Sequence, residues 1–331
     1  MRLLFIQISQ VLSALKRRGR RFYEVCRQLL AGTGLVTPAG VSRIFTILIL
    51  VIFSHLHAEE PLQEMPWAQL SDRSLAALGL RALTVRAADW HHAETANFIY
   101  HYYQSAAVAP VSVEAEFYYR VIATELGKDT AKWERKAHIF IFDAQEDWKQ
   151  FQQNGGLDPW TGGIHSGNEL FLLRDARLRW KGDTLGHEIT HLVLHRFFGS
   201  GIPLWLNEGF AEYSASRCYA AFLRARNYTA KPTAHRLPDG MFTPLAELTS
   251  AVIYPQDGER VSAFYAESEK LVRFLSAADK PAFQTFLEEM SHGAKFDTAI
   301  SRCYRLKWLT TETLEKEFRT YATQPFVPAT P

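Results

Sequence analysis

The sequence predicts an α+β protein in which a mixed sheet lobe is followed by a helical lobe. Three observations predict it. Short apolar runs such as AHIFIFDA (137–144) fall in the first half and have the length and β-branched or aromatic content of strands. From about residue 183 onward, apolar residues recur every three to four positions, the helical period. The 331 residues, with 47% hydrophobic and 22% charged side chains, suffice for one large domain or two lobes and exclude a disordered or fibrous chain. There is no internal repeat or low-complexity tract.

In chain order, residues 1–58 read as a leader. They contain eight Lys or Arg and one acid, and end in the apolar run IFTILILVIFSHLHA (44–58). That run is short for a membrane span and ends at Ala58 before EEP, the pattern of a cleaved signal peptide. The forty residues before it make a long basic start, and Val41 onward would itself read as an ordinary signal peptide. The mature chain is therefore expected in the periplasm or outside the cell, with a membrane anchor through 44–58 if the leader stays uncleaved. Outside the leader, 29 basic residues stand against 34 acidic ones, which gives no support for a nucleic-acid partner.

Residues 59–200 carry the strand patterns. ALTVRA (82–87) and AHIFIFDA read as strands, and AEFYYRVIATELG (115–127) as a helix packed on them. WTGGIHSGNELFLLRD (160–175) reads as two strands around Ser166-Gly167-Asn168. His91, His92 and His101 cluster in ADWHHAETANFIYHYY (88–103), where surface or internally bonded histidines outweigh a second metal site. Of the three cysteines, Cys218 and Cys303 lie beyond the leader, so one disulfide or two free thiols are both open.

The stretch GDTLGHEITHLVLHRFFG (182–199) reads as a helix over 183–198. Asp183 or Thr184 can cap it, Leu185, Ile189, Leu192 and Val193 keep the period, and Gly199 stops it. Residues four apart share a face, so His187 and His191 can point at one ion, while Glu188 is turned toward a water beside it. His195 lies two turns from His187 and reads as a helix-end histidine. A second helix follows from Pro203 to about Arg226. Glu208 lies one turn in and Glu212 one turn further on the same face. Two histidines from one helix and a carboxylate from the next make three protein ligands, the set that a catalytic zinc takes.

HEITH (187–191) followed by WLNEGFAEY (205–213) resembles the gluzincin metallopeptidases, most closely the bacterial peptidase MA-like group. Aminopeptidase N and thermolysin are more distant by this pattern. The resemblance is strongest from about Trp160 to Arg217, thinner to Tyr321 and weak before Ala137. It implies a zincin-type, thermolysin-like catalytic domain holding one Zn2+ per chain on His187, His191 and Glu208, with Glu188 as general base. It implies Glu212 as the carboxylate behind a ligand histidine, although the loop to Glu208 is shorter than in the aminopeptidases and leaves Glu212 as an alternative ligand. It implies Tyr265 as the donor to the developing oxyanion, with Tyr254 as the next candidate. Tyr213 reads as a packing residue beside the zinc helix. The strand at Gly163, Ile164 and His165 would bind extended substrate backbone. The aminopeptidases carry a glutamate there that captures the free amino terminus, and His165 occupies about that position, which favours cleavage at internal bonds or a peptidase with another restriction.

Residues 201–324 form the expected helical lobe, with further helices at Ser262–Ala277, Pro281–Ser291, Lys295–Tyr304 and Thr311–Tyr321, before a tail at 325–331. The function so implied is a zinc-dependent peptidase acting on peptide or protein substrates. The alternatives are a zincin-fold binding protein without turnover and a membrane-anchored envelope protein.

Overall fold

The computed structural model describes residues 62–129, 135–159, 161–174, 184–233, 235–308 and 310–323. The leader, Trp160, Asp183 and the tail lie outside the described residues. All described elements belong to one compact unit, Leu62–Pro331. The architecture is α+β: a five-stranded mixed sheet followed by helices.

The sheet is built from β1 (His91–Glu94), β2 (Phe98–Tyr102), β3 (Ala137–Phe142), β4 (Gly163–Ser166) and β5 (Glu169–Leu173), in the order β1-β2-β3-β5-β4. β2, β3 and β5 run parallel, and the antiparallel strands β1 and β4 form the two edges. Parallel neighbours need crossovers. Helix α2 (Ser105–Glu125) connects β2 to β3, while α3 (Gln145–Gly155) and the β4 strand lie between β3 and β5. Alternation sorts the side chains of β3 and β5 to two faces. Ile139, Ile141, Leu170 and Leu172 join the core with α2, whereas Phe140, Phe142 and Phe171 pack with Trp148 and Phe151 of α3. β3 is buried along its whole length, so its run is apolar throughout with His138 the exception.

The ALTVRA reading is corrected. Ala82 ends a short helix, α1 (Ala77–Ala82), and the chain then turns. The alternation of apolar Leu83 and Val85 with Thr84 and Arg86 gives the segment its strand-like look, although Ala82 and Val85 are the buried residues. Arg86 takes a left-handed φ of 45° and is held by Asp89 and Asp147, so the chain cannot stay extended there. The first strand pair lies in the histidine-rich segment instead. Helix α2 also starts ten residues before the expected Ala115, running through Pro110.

His92, His101 and His138 form a buried row across β1, β2 and β3. The Nδ1 atoms of His92 and His101 are 2.9 Å apart, and His101 Nε2 is 2.9 Å from His138 Nδ1. The His101 ring lies nearly coplanar with that of His138 and stacks on Phe140. These rings bond one another within the sheet, leaving His138 Nε2 buried without a partner, while His91 lies outside the row, exposed, against Glu64.

After the sheet come α4 (Thr184–Phe198), α5 (Leu204–Ala225), α6 (Leu245–Ser250), α7 (Gly258–Ala278), α8 (Lys280–Ser291), α9 (Phe296–Cys303) and α10 (Thr311–Ala322). α4 packs on α2 and lies against α5, which in turn packs on α7. Helices α7 and α8 share Asp279, which closes the first and caps the second by accepting from Ala282 N–H. Cys218 is buried in α5, and both it and Cys303 are free thiols. Among the described residues no helix is long and apolar enough to cross a membrane.

Burial pushes the pKa of His92 down, that of His101 well down and that of His138 down to about 4. The folded state thus holds neutral rings that gain protons on unfolding. Their contribution is fully present above the unfolded value of about 6.5 and is lost as pH falls toward 4. Thermal melting between pH 7 and 4.5 should show a smaller acid-induced loss in His138→Gln than in wild type. Equal pH slopes in the two proteins would remove the row as the cause.

Candidate metal centre

Helix α4 owes its position to one apolar face. Leu185, Ile189, Leu192 and Val193 are all fully buried, at the spacing read from the sequence. The expected cap Asp183 falls outside the described residues, and Thr184 is the first helical residue rather than the cap. Gly186 lets α5 approach: a Cβ there would stand 3.2 Å from the Ala215 Cα. Pro203 precedes α5 rather than forming its first turn. The short link 199–203 then returns the chain antiparallel to α4.

The consequence is that His187, His191 and Glu208 meet. Their ligating atoms lie within 4.8 Å of one another, and they are the one such group of three among the described residues. The two Nε2 atoms are 2.9 Å apart, and Glu208 Oε2 lies 3.4 Å from His187 Nε2 and 3.5 Å from His191 Nε2. Those edges define a triangle of circumradius about 1.9 Å, so an ion with ligand distances of ~2.0–2.2 Å fits just off its plane.

The opposite ring nitrogens explain the orientation. His187 Nδ1–H donates to Glu212 Oε1 at 3.1 Å, and His191 Nδ1–H donates to Asn207 Oδ1 at 3.1 Å. Fixing the proton on Nδ1 leaves each Nε2 lone pair facing the centre. Glu208 Oε2 is buried and makes no hydrogen bond. Two lone pairs and an unpartnered carboxylate oxygen converging on one point suit a cation, and this donor set fits Zn2+.

The charges respond accordingly. Burial opposes charging His187, but Glu208, Glu212 and Glu188 overcome it and hold its pKa well above the ordinary value. Burial likewise works against the ionised forms of Glu208 and Glu212, yet the neighbouring histidines hold both well below the usual carboxylate range. Glu188 differs: burial dominates and raises its pKa. Its carboxylate leaves the triangle and lies under β4, where a Cβ on Gly163 would come within 2.7 Å of Glu188 Oε1. Glycine at 163 is thus what lets the strand backbone pass over the carboxylate.

β4 is an edge strand, and Gly163, Ile164 and His165 are all half-buried. The His165 ring turns down toward α4, 6.1 Å from His191 and 5.8 Å from His195, and its Nε2–H donates to the Gly167 carbonyl. His195 is exposed and outside the cluster. Arg196 of α4 donates to Asn168, and Asn168 donates to the Lys136 carbonyl, which pins the β4–β5 turn over the helix. Tyr265 of α7 brings its ring centroid 6.5 Å from that of His187. Tyr213 packs under the cations of Arg217 and Arg273. A cleft of about 590 Å3 adjoins Asn207, walled by Ile202, Pro203, Leu204, Ala251 and Val252.

Two participants, Asn207 and His235, escaped the sequence reading, and Tyr254, named there as a candidate oxyanion donor, has another partner. Asn207 carried a signal, since it immediately precedes Glu208 on the helix that faces His191. His235 carried none: it arrives from a segment without regular structure and binds Glu212 Oε2 at 2.7 Å. Tyr254 was ranked behind Tyr265, yet its hydroxyl donates to Glu208 Oε1 at 2.7 Å.

Gly209, next to Glu208, packs against the Ser268 carbonyl of α7, with no room for a Cβ. Gly209→Ala should therefore lower stability by about 1–3 kcal/mol, read by chemical denaturation. An unchanged midpoint would mean that α5 and α7 do not approach as described. No protein-family model matches the chain, and no curated protein matches it either.

Proposed function

We propose that the protein is a zinc-dependent peptidase with a zincin-type, thermolysin-like catalytic unit, similar to the gluzincins. The observation that carries this is the joint arrangement of His187, His191 and Glu208 around one point with Glu188 beside it under an open strand edge. When bound, zinc polarises the scissile carbonyl and makes a water acidic enough to react near neutral pH. His187, His191 and Glu208 hold the metal, and Glu212 and Asn207 fix the tautomers of the two rings.

Glu188 does the proton work. Its raised pKa brings it closer to the working range of a general base. It takes a proton from the attacking water as the new C–O bond forms, and passes a proton to the nitrogen as the C–N bond breaks. The Tyr265 hydroxyl stays protonated, because burial and nearby carboxylates raise its pKa, so it can donate to the developing oxyanion. An extended substrate would pair with the edge of β4 at Gly163, Ile164 and His165, with the cleft beside Asn207 offering room for a side chain. With no carboxylate at position 165, the reading is cleavage at internal bonds. The basic start and apolar run of 44–58 support action outside the cytoplasm.

Purified protein should contain about one zinc, and His191→Ala should empty it. Glu212→Gln should weaken zinc affinity ~10–100-fold. Stoichiometric zinc in His191→Ala would sink the ligand assignment.

Glu188→Gln should keep its zinc while peptide hydrolysis falls by orders of magnitude. Tyr265→Phe should keep zinc and lose about 2.7–4 kcal/mol of transition-state stabilisation. Turnover and metal content must be measured on the same preparations. Wild-type turnover in Glu188→Gln would contradict the mechanism, and absence of peptide cleavage by a zinc-loaded wild type would favour a binding protein.

A further inference from the structure

We infer that Tyr254 is a positioning residue that holds Glu208 to one-oxygen ligation and so keeps the fourth metal position open. The inference rests on the metal reading above and concerns what sets the coordination number.

A carboxylate offers two oxygens, and in Glu208 they have different surroundings. Oε2 makes no hydrogen bond and faces the two imidazole Nε2 atoms. Oε1 accepts the Tyr254 hydroxyl at 2.7 Å. Without that donor, a small rotation of the carboxylate would bring both oxygens to the metal, raising the coordination number and crowding the water and carbonyl positions. A hydrogen bond to an ionised acceptor is among the stronger kinds, and it draws Oε1 away from the metal.

The hydroxyl comes from a segment separate from the ligand helices. Tyr254 lies between α6 and α7, and its neighbours Val252 and Ile253 are 87% and 71% exposed, so they do not anchor the segment in the core. What holds the ring is α7: it stacks on Tyr265 at 6.0 Å and 16°, and meets Phe264 edge-on at 6.1 Å and 83°. The same helix thus presents Tyr265 toward His187 and, through the stack, Tyr254 toward Glu208. Phenylalanine would keep the ring stack and remove the hydroxyl, with its bonds to Glu208 and to Tyr265, so metal affinity and the cobalt spectrum, which report on the Glu208 ligand, are the readouts of Tyr254→Phe.

Full-length wild type, Tyr254→Phe and His191→Ala should be loaded with cobalt(II) and their visible spectra recorded. Zinc affinity is measured by chelator competition and the melting temperature on metal-free protein. The inference expects Tyr254→Phe to bind one metal about tenfold or more weakly. It expects the cobalt absorption to weaken as the site passes from four- to five-coordinate, and metal-free melting to stay within a few degrees of wild type. Wild-type affinity and spectrum in Tyr254→Phe would overturn the inference while leaving the metal reading intact. A large fall in metal-free melting that accompanies the loss of affinity would overturn it too, because packing would then be the cause. Failure of wild type itself to bind cobalt or zinc would overturn the metal reading and this inference with it.

Discussion

Two imidazole nitrogens facing each other at 2.9 Å is the arrangement on which the rest of the centre depends. Left to themselves, two lone pairs at that distance repel, and a proton or a cation must lie between them. The acceptors behind the rings enforce the arrangement: Glu212 and Asn207 hold the Nδ1 protons, so neither ring can turn its lone pair away without breaking a bond. Both acceptors and the third ligand come from the first three turns of α5. The centre therefore exists only while α4 and α5 stay in register, which the close packing of Gly186 on Ala215 fixes, while Gly209 against Ser268 seats α5 on α7.

The carboxylates around the histidines set the charge. Glu188, Glu208 and Glu212 lie near two imidazoles, and His187 responds by holding a proton more tightly than an ordinary histidine. That proton occupies the electrostatic role that a divalent cation fills better, and metal uptake would release it. Glu188 is the carboxylate of the set whose pKa rises rather than falls, because burial under the strand outweighs the two histidines. In the proposed peptidase reading, ligand and base are the same kind of side chain, and their different environments would assign the different roles.

Much of this was legible in the sequence wherever periodicity or spacing carries information. The four-residue step from His187 to His191 and the one-turn offsets of Glu208 and Glu212 translate directly into a shared helix face. The β4–β5 hairpin and α7 to α10 were legible for the same reason, within a few residues at their ends. ALTVRA was misread because apolar Leu83 and Val85 alternate with Thr84 and Arg86 as in a strand, while the left-handed Arg86 that breaks the chain leaves no pattern. β1 and β2 were missed because histidines occupy core positions, and a polar letter inside a strand hides the period. Their burial is possible only because three rings from three strands bond one another, which is tertiary information. Tyr254 and His235 reach the centre from segments without regular structure, where sequence separation says nothing of distance.

The measurement that bears most directly on the account is X-ray absorption at the zinc edge of the metal-loaded protein. The account predicts a low-coordinate shell of nitrogen and oxygen only, with two imidazoles at ~2.0–2.1 Å and one carboxylate oxygen at ~2.0–2.2 Å. A shell containing sulfur, or one of six oxygens without imidazole scattering, would contradict it.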